Sequence, residues 1–160
     1  MNSSFIFGIT LVAALGCGLI AGVFFAFSSF VMRALCRLPS PEAIAAMQSI
    51  NVAVLNAWFL GAFLGTAAVC GAALIVSLLR WQEAGSLYLT AGSLLYLIGC
   101  LGVTGVCNVP RNEALARVTP DDPNSEGSWV KYAAEWTAWN HVRAGASLVA
   151  CASFAVALGH

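Results

Sequence analysis

Residues 129–143, WVKYAAEWTAWNHVR, place aromatic, amide and ionisable side chains directly before an uncharged run rich in alanine and valine. That run covers residues 144–158, only fifteen residues, whereas a membrane-spanning helix needs about 20. The crossing to which this run belongs must therefore begin near Ala138. The polar residues that this start places inside the membrane boundary are Asn140, His141 and Arg143.

The composition of the chain is typical of a membrane protein. Of its 160 residues, 60% are hydrophobic and 9% are charged, whereas a soluble domain carries about 25% charged residues. Seven basic and seven acidic side chains cancel, so the net charge indicates no nucleic-acid partner. The six cysteines form no CxxC pair, and their spacing indicates neither a disulfide framework nor a metal site. We therefore expect a single domain, residues 1–160, embedded in a lipid bilayer.

Four apolar segments predict an all-α fold, an antiparallel bundle of four transmembrane helices. Each segment is long enough to cross about 30 Å of hydrocarbon. We expect the second to be one continuous helix, longer than the bilayer requires, and Pro110 to kink or stop the third. A short helix over 112–118 and a polar loop to Ser128 then precede the fourth. The expected spans are residues 5–31, 42–79, 87–109 and 129–158.

The first of these helices carries small residues at spacings of three or four. Small residues let helix backbones approach closely in lipid, so this pattern predicts one narrow packing face that ends in a serine and an arginine. The members of the face are Ala14, Gly18, Gly22, Ala26, Ser29 and Arg33.

With four alternating crossings, the polar residues of every helix fall at the same end of the bundle, where we predict one polar site. Basic residues are more numerous at this end than at the other, and positively charged loops stay in the cytoplasm. We therefore expect a multi-pass protein of the plasma or inner membrane, with the site facing the cytoplasm and both termini extracytoplasmic. The polar residues at this end are Ser29, Arg33, Gln48, Asn51, Asn56, Asn108, Arg111, Asn112, Glu113, Trp136, Asn140, His141 and Arg143.

Helical periodicity divides the polar residues of the fourth helix. At about 100° per residue, Trp136, Asn140 and Arg143 share one face, and His141 stands to its side. An ionisable group inside the membrane indicates a functional site, although an arginine near a helix end also reaches the headgroups by snorkelling. The tryptophans fit an interfacial belt or a wall for a flat aromatic ligand. The asparagines fit hydrogen bonds between helices, and His141 fits a structural hydrogen bond or a base that titrates near neutrality.

Four motifs, in the same order along the chain, resemble the anthrone oxygenase-like family of small four-helix integral membrane proteins. They are GVFFAFSSFVMRAL (22–35), MQSINVAVLNAWF (47–59), NVPRNEALA (108–116) and WTAWNHVR (136–143). One departure is Arg33, where the family often has a proline. The positions that match the family's motifs are Asn108, Pro110, Asn112, Trp136, Trp139, Asn140, His141 and Arg143.

The resemblance implies a monooxygenase that needs no cofactor and no metal and oxidises an anthrone-type substrate or polycyclic phenol with O2. On this hypothesis the catalytic residues are His141 as the base, with Arg143 and Asn140 stabilising the developing oxyanion. The alternative hypothesis is a non-catalytic membrane binder of a small lipophile, or an accessory subunit of a membrane complex. An oligomer is compatible with both. The substrate-binding residues predicted from the polar end are Asn108, Asn112, Asn51, Gln48, Trp136, Trp139 and Ser29.

Overall fold

The computed structural model describes residues 3–160, a range that is helical without a β-strand. The predicted all-α fold is therefore confirmed. The helices are α1 Ser3–Ala26, π1 Phe27–Val31, α2 Met32–Leu35, α3 Ser40–Ala53, α4 Ala57–Leu79, α5 Ser86–Leu94, π2 Leu95–Gly102, π3 Thr104–Asn108, α6 Val109–Ala116 and α7 Ser125–Ala157. The segments π1, π2 and π3 are wider, π-helical turns within longer helices, so that Ser4–Leu35 and Ser86–Ala116 are each one continuous helix.

Within the described chain, three helices are long and apolar enough to cross a membrane: Ser4–Leu35, Ala57–Leu79 and Ser86–Ala116. Large hydrophobic side chains cover their outer faces, among them Phe25 and Ile98. Such apolar outer faces suit a lipid environment, and the chain is a membrane protein. The 33-residue α7 is as long as these helices, but its N-terminal half carries several charges. The fourth crossing, and with it the four-span bundle, stays a prediction.

The long helices pack around two apolar clusters. α1 packs along α4 and α7, and α5 packs against the same two helices. The first cluster lies among these four helices and includes Phe24, Phe63 and Tyr96, whose hydroxyl donates to the Phe63 carbonyl at 3.0 Å. The second cluster includes Met47 and Trp136 and joins α2, α3, α6 and the first half of α7. The candidate site borders both clusters.

The second apolar segment is two helices, because residues 54–56 interrupt it between α3 and α4. Asn56 adopts an extended backbone, and its Oδ1 accepts the Phe59 amide at 3.0 Å. An asparagine in this role satisfies one of the free amides at the start of a helix. The prediction of one continuous helix over 42–79 is therefore wrong, and the signal against it was Asn56.

Of the two outcomes predicted at Pro110, a kink or a stop, the stop does not occur, because the third helix continues to Ala116. A proline ring clashes with the carbonyl four residues before it in a regular α-helix and leaves a hydrogen bond unmade. The wider turn of π3, which ends at Asn108, contains the carbonyl of Val106, four residues before Pro110. The Cys107 carbonyl receives a hydrogen bond from Arg111 Nη1 at 2.7 Å.

The packing face of α1 includes Ala14 of the predicted stripe of small residues, which is buried, but otherwise differs from that stripe. Gly22 and Arg33 are exposed, and the buried positions include Cys17, Ile20 and Phe24. These residues belong to the neighbouring face of the helix. The close approach of α1 to α4 occurs at Gly16, where a Cβ atom would overlap the side chain of Thr66.

Candidate functional site

A mostly apolar cavity of about 620 Å³ lies among α1, α3, α4, the third helix and α7. Its volume is within the range of about 300–1,000 Å³ that is typical of small-molecule sites. Aromatic rings from three helices form much of its wall, namely Phe24, Phe27, Phe59, Phe63 and Trp136. The polar side chains that line it are Gln48, Asn51, Thr104, Asn112, Glu113 and Arg143.

Arg143 is the charged centre of this cavity. Its side chain is buried, with the residue only 5% exposed, and its Cζ lies 4.0 Å from the Phe24 ring centroid and 4.7 Å from that of Trp136. Cation–π contacts of this kind stabilise a desolvated guanidinium by about 2 kcal/mol or more. Among the described residues, the ion pairs are those of Arg80 and Arg111. The charge of Arg143 is thus not neutralised by a carboxylate in the described part of the chain.

Asn140 fixes the direction of the Arg143 side chain. Its Oδ1 accepts from Arg143 Nε at 3.0 Å, and its Nδ2 donates to the Phe24 carbonyl at 2.8 Å and to Ser28 Oγ at 2.7 Å. Thr104 Oγ1 accepts from Arg143 Nη1 at a longer 3.4 Å. The guanidinium is therefore held by side chains of α7 and the third helix, while Asn140 ties α7 to α1.

Two further N–H donors at the cavity are buried and have no hydrogen-bond partner among the described residues. They are Asn51 Nδ2 and Trp136 Nε1, and both residues line the cavity with Arg143. A buried donor left without a partner costs about 1–3 kcal/mol. Both atoms have almost no accessible surface, so a negatively charged oxygen beside the guanidinium would reach them only after these side chains turn toward the cavity.

Asn108 is fully buried but does not line the cavity. Its Nδ2 donates to the Trp136 carbonyl at 3.2 Å, which joins the third helix to α7. Its Oδ1 has no partner among the described residues. Asn108 therefore supports the wall that contains Trp136.

Two of the predicted binding residues line the cavity but also anchor α6. Gln48 Nε2 donates to the carbonyls of Leu115 at 2.9 Å and Val118 at 3.0 Å, and so caps the C-terminal end of the third helix. Asn112 Oδ1 accepts from the Tyr132 hydroxyl at 3.0 Å. Gln48, Asn51 and Asn112, three of the predicted substrate-binding residues, thus line the cavity.

His141, Trp139 and Ser29 do not join the cavity, in contrast to their predicted roles. His141 is exposed and lines a separate, open groove of about 980 Å³, because two residues along a helix rotate a side chain by about 200° away from Arg143. Trp139 is 36% exposed, with the Arg111 Cζ 6.0 Å from its ring centroid.

Ser29 is not the serine of this site, because the neighbouring Ser28 contacts Asn140. The Ser29 hydroxyl instead donates to the Phe25 carbonyl of its own helix at 2.6 Å. Both serines lie in π1, where the wider turn departs from the regular helical spacing that the sequence prediction assumed. Thr104 was also missed, although in a regular α-helix its position four residues before Asn108 would place it on the same face as that predicted residue.

The family comparison covers most of the helices that build this site. The model of the family described as anthrone oxygenase matches residues 55–153, a range that contains the Arg143 and Asn140 pair. No curated protein and no solved structure gives a significant match. Since the matched range is more than half of the chain, this protein belongs to the anthrone oxygenase family.

Proposed function

We propose that this protein is a cofactor-independent monooxygenase that oxidises a lipophilic polycyclic phenol or ketone of the anthrone type with O2. The observation that carries the proposal is the buried guanidinium of Arg143, which faces an apolar cavity without a carboxylate partner among the described residues. Membership of the anthrone oxygenase family supports the same reaction class.

The positive charge of Arg143 would make the substrate's CH2 group more acidic, because it stabilises the anion that forms when a proton is lost. An anthrone-type CH2 group lies between two aryl rings and opposite a carbonyl group, so loss of a proton sends the electron pair to the carbonyl oxygen. A preorganised cation and N–H donors stabilise such an oxyanion strongly where water is excluded. Arg143 supplies the cation, and Trp136 Nε1 and Asn51 Nδ2 supply unpartnered donors.

The resulting anion is electron-rich enough to reduce O2 without a further cofactor. One electron passes from the anion to O2, and the carbon radical and superoxide combine to form a peroxide on that carbon. After protonation, the second C–H bond and the O–O bond break, which leaves a new carbonyl group and releases water. In balance, the CH2 group and one O2 molecule become a carbonyl group and one water molecule.

The aromatic wall suits a flat ring system. The Phe59 and Phe63 rings are stacked, with centroids 5.8 Å apart and planes 9° from parallel, and Phe24 meets Phe63 edge-on at 6.3 Å. Offset and edge-to-face contacts of this kind favour aromatic partners. In this proposal the rings hold the substrate's apolar body while Arg143 receives its oxygen.

The proposed topology places α7 as a fourth crossing, with the cavity toward the cytoplasm and both termini outside. The excess of basic residues at the cavity end supports this orientation. The test is whether a cysteine-reactive reagent that does not cross the membrane labels the exposed Cys36 only after the cells are opened. Labelling of intact cells would reverse the orientation.

The reaction itself is tested with purified protein in lipid nanodiscs and anthrone as the substrate. We expect anthrone-dependent O2 uptake, one O2 per anthrone, above the uncatalysed rate in empty nanodiscs. Labelled O2 should leave one labelled atom in the quinone and the other in water. An uptake rate equal to that of empty nanodiscs would overturn the proposed oxygenase.

The second candidate function is a non-catalytic binder of a small lipophile, and the same cavity favours it. The structure does not bring His141, the predicted base, to the cavity. A binder would show saturable quenching of the protein's tryptophan fluorescence by anthrone, at one site per chain, while O2 consumption stays at background. The two measurements therefore separate the candidates on one protein preparation.

A further inference from the structure

The cavity has one carboxylate among its described lining residues, that of Glu113 on α6. Glu113 has neither an ion pair nor a hydrogen bond to its side chain within the described residues, whereas Glu135 on α7 is paired with Arg111 at 3.0 Å. Glu113 is also exposed, which lets protons reach and leave it. An available carboxylate and an unneutralised guanidinium thus border the same apolar space.

The helix that carries Glu113 is anchored on both sides. Gln48 caps its C-terminal carbonyls, and the neighbouring Asn112 accepts from the Tyr132 hydroxyl at 3.0 Å. The backbone of Glu113 is therefore fixed relative to α3 and α7. A side chain on an anchored helix can approach a bound substrate in a defined direction.

Arg143 and Glu113 line the same cavity, from α7 and from the third helix. In an anthrone the carbonyl oxygen lies roughly 4 Å from the acidic carbon. Adding a contact of about 3 Å at each end gives roughly 10 Å between the oxyanion donor and the base. A cavity of about 620 Å³ has room for this separation.

We infer that Glu113 is the general base that removes the acidic C–H proton, an inference that rests on the proposed oxidation. The C–H bond breaks, its electron pair moves to the carbonyl oxygen at Arg143, and the proton is held on a carboxylate oxygen of Glu113. The same proton then protonates the peroxide formed with O2. A carboxylate is an effective base for such carbon acids when an oxyanion hole stabilises the enolate.

The test isolates proton transfer from the reaction with oxygen. Without O2, formation of the coloured anthrone anion is followed by stopped-flow absorbance, and anthrone affinity is followed by quenching of the protein's tryptophan fluorescence. We expect Glu113→Gln to slow anion formation by about 100-fold or more, the usual contribution of a general base, with affinity changed less than about threefold. Glu113→Asp should retain part of the rate, because the carboxylate is kept.

The matched control is Glu126→Gln, the same chemical change at a carboxylate that lines the separate open groove. It should leave both measurements unchanged. If the wild-type protein does not accelerate anion formation, the proposed function falls and this inference falls with it. If the wild type does but Glu113→Gln keeps its rate, or loses affinity in the same proportion as rate, the inference alone is overturned.

Discussion

Arg143 and His141 lie two residues apart on α7, yet they meet opposite surroundings. Arg143 is 5% exposed and borders an apolar cavity of about 620 Å³. His141 is exposed and borders an open groove of about 980 Å³ together with Arg33, Cys36 and Glu126. Histidine is the residue type that most often serves as a general base in enzymes. Position on the helix, and not reactivity in solution, decides which of the two reaches the cavity.

The two side chains also differ in energetic cost, because Arg143 buries a charge whereas His141 remains exposed. Burying a charge is expensive, and replacing buried ionic groups with apolar ones of similar volume often stabilises a protein. The described structure meets the cost of Arg143 with two aromatic rings and the Asn140 side chain. A bound anion would neutralise the charge of Arg143. The cavity side of α7 is therefore a stronger candidate for a functional site than the groove side.

The largest expected effect is that of Arg143→Gln. Removing the main donor of an oxyanion site lowers turnover by about 100- to 1,000-fold, so we expect kcat/KM for anthrone oxidation to fall by that order. The control is Arg33→Gln on the groove side, which should change kcat/KM by less than about twofold, as most exposed substitutions do. Equal effects of the two variants in the O2-uptake assay would remove the distinction between the two faces.

Asn140→Asp sharpens the comparison by neutralising Arg143 without removing it. The new carboxylate would lie about where Asn140 Oδ1 now accepts from Arg143 Nε at 3.0 Å. A hydrogen bond between ligand oxygen and a charged group contributes about 1.5–3 kcal/mol, so affinity for a phenolate should fall roughly 10- to 100-fold.

The control for Asn140→Asp is a neutral aromatic hydrocarbon of the same shape, such as anthracene. Its affinity, measured through the emission of anthracene itself, should stay within about threefold of the wild-type value, since an apolar ligand makes no hydrogen bond to the guanidinium. A parallel loss of both affinities would mean that Asn140 shapes the cavity and does not tune the charge of Arg143.

Much of the polar side of the site could be predicted from the sequence. The shortness of the uncharged run after Arg143 placed the arginine inside the membrane boundary, and regular helical spacing grouped it with Asn140 and Trp136. Both conclusions use only chain length and periodicity, which are local properties. The grouping on one face holds because α7 is an uninterrupted α-helix over residues 125–157, whereas the place of Arg143 inside the membrane boundary stays a prediction.

The same periodicity fails where the helices are irregular. Both Ser28 and Ser29 lie in π1, but Ser28 contacts Asn140, whereas the Ser29 hydroxyl donates to a carbonyl of its own helix. Asn56 caps the start of α4 within a segment whose apolar pattern predicts one helix. The third helix continues through Pro110 after the π-helical turn π3. Each of these features depends on backbone geometry that a pattern of apolar residues does not report.

The aromatic wall was also beyond the sequence analysis. Phe24 is buried at the cavity, whereas its neighbour Phe25 is 65% exposed on the outer surface. In a soluble protein an apolar side chain indicates the interior, but in a membrane protein both lipid and cavity accept it. Only the packing of the helices shows which apolar side chains face the cavity and which face lipid.

Trp136→Phe tests a smaller part of the cavity face, because it keeps an aromatic ring and removes only the Nε1 donor. A neutral hydrogen bond contributes about 0.5–1.5 kcal/mol, so we expect anthrone affinity to fall by roughly two- to tenfold. The control is Trp139→Phe, on a ring that does not line the cavity. Competition with anthracene, whose binding is monitored through its own emission, gives the affinities without relying on Trp136. An unchanged affinity in Trp136→Phe would exclude its Nε1 as a ligand contact.

The smallest expected effect is that of His141→Ala. Because His141 is exposed and borders the open groove, its loss should change kcat/KM by less than about twofold. The variant should also keep the wild-type dependence of kcat/KM on pH, since a removed general base would take its own titration out of that profile. A 100-fold loss with a changed profile would return the base to His141. The substrate would then have to bind on the groove side of α7. This variant therefore tests the contrast between the two faces at the face where no effect is expected.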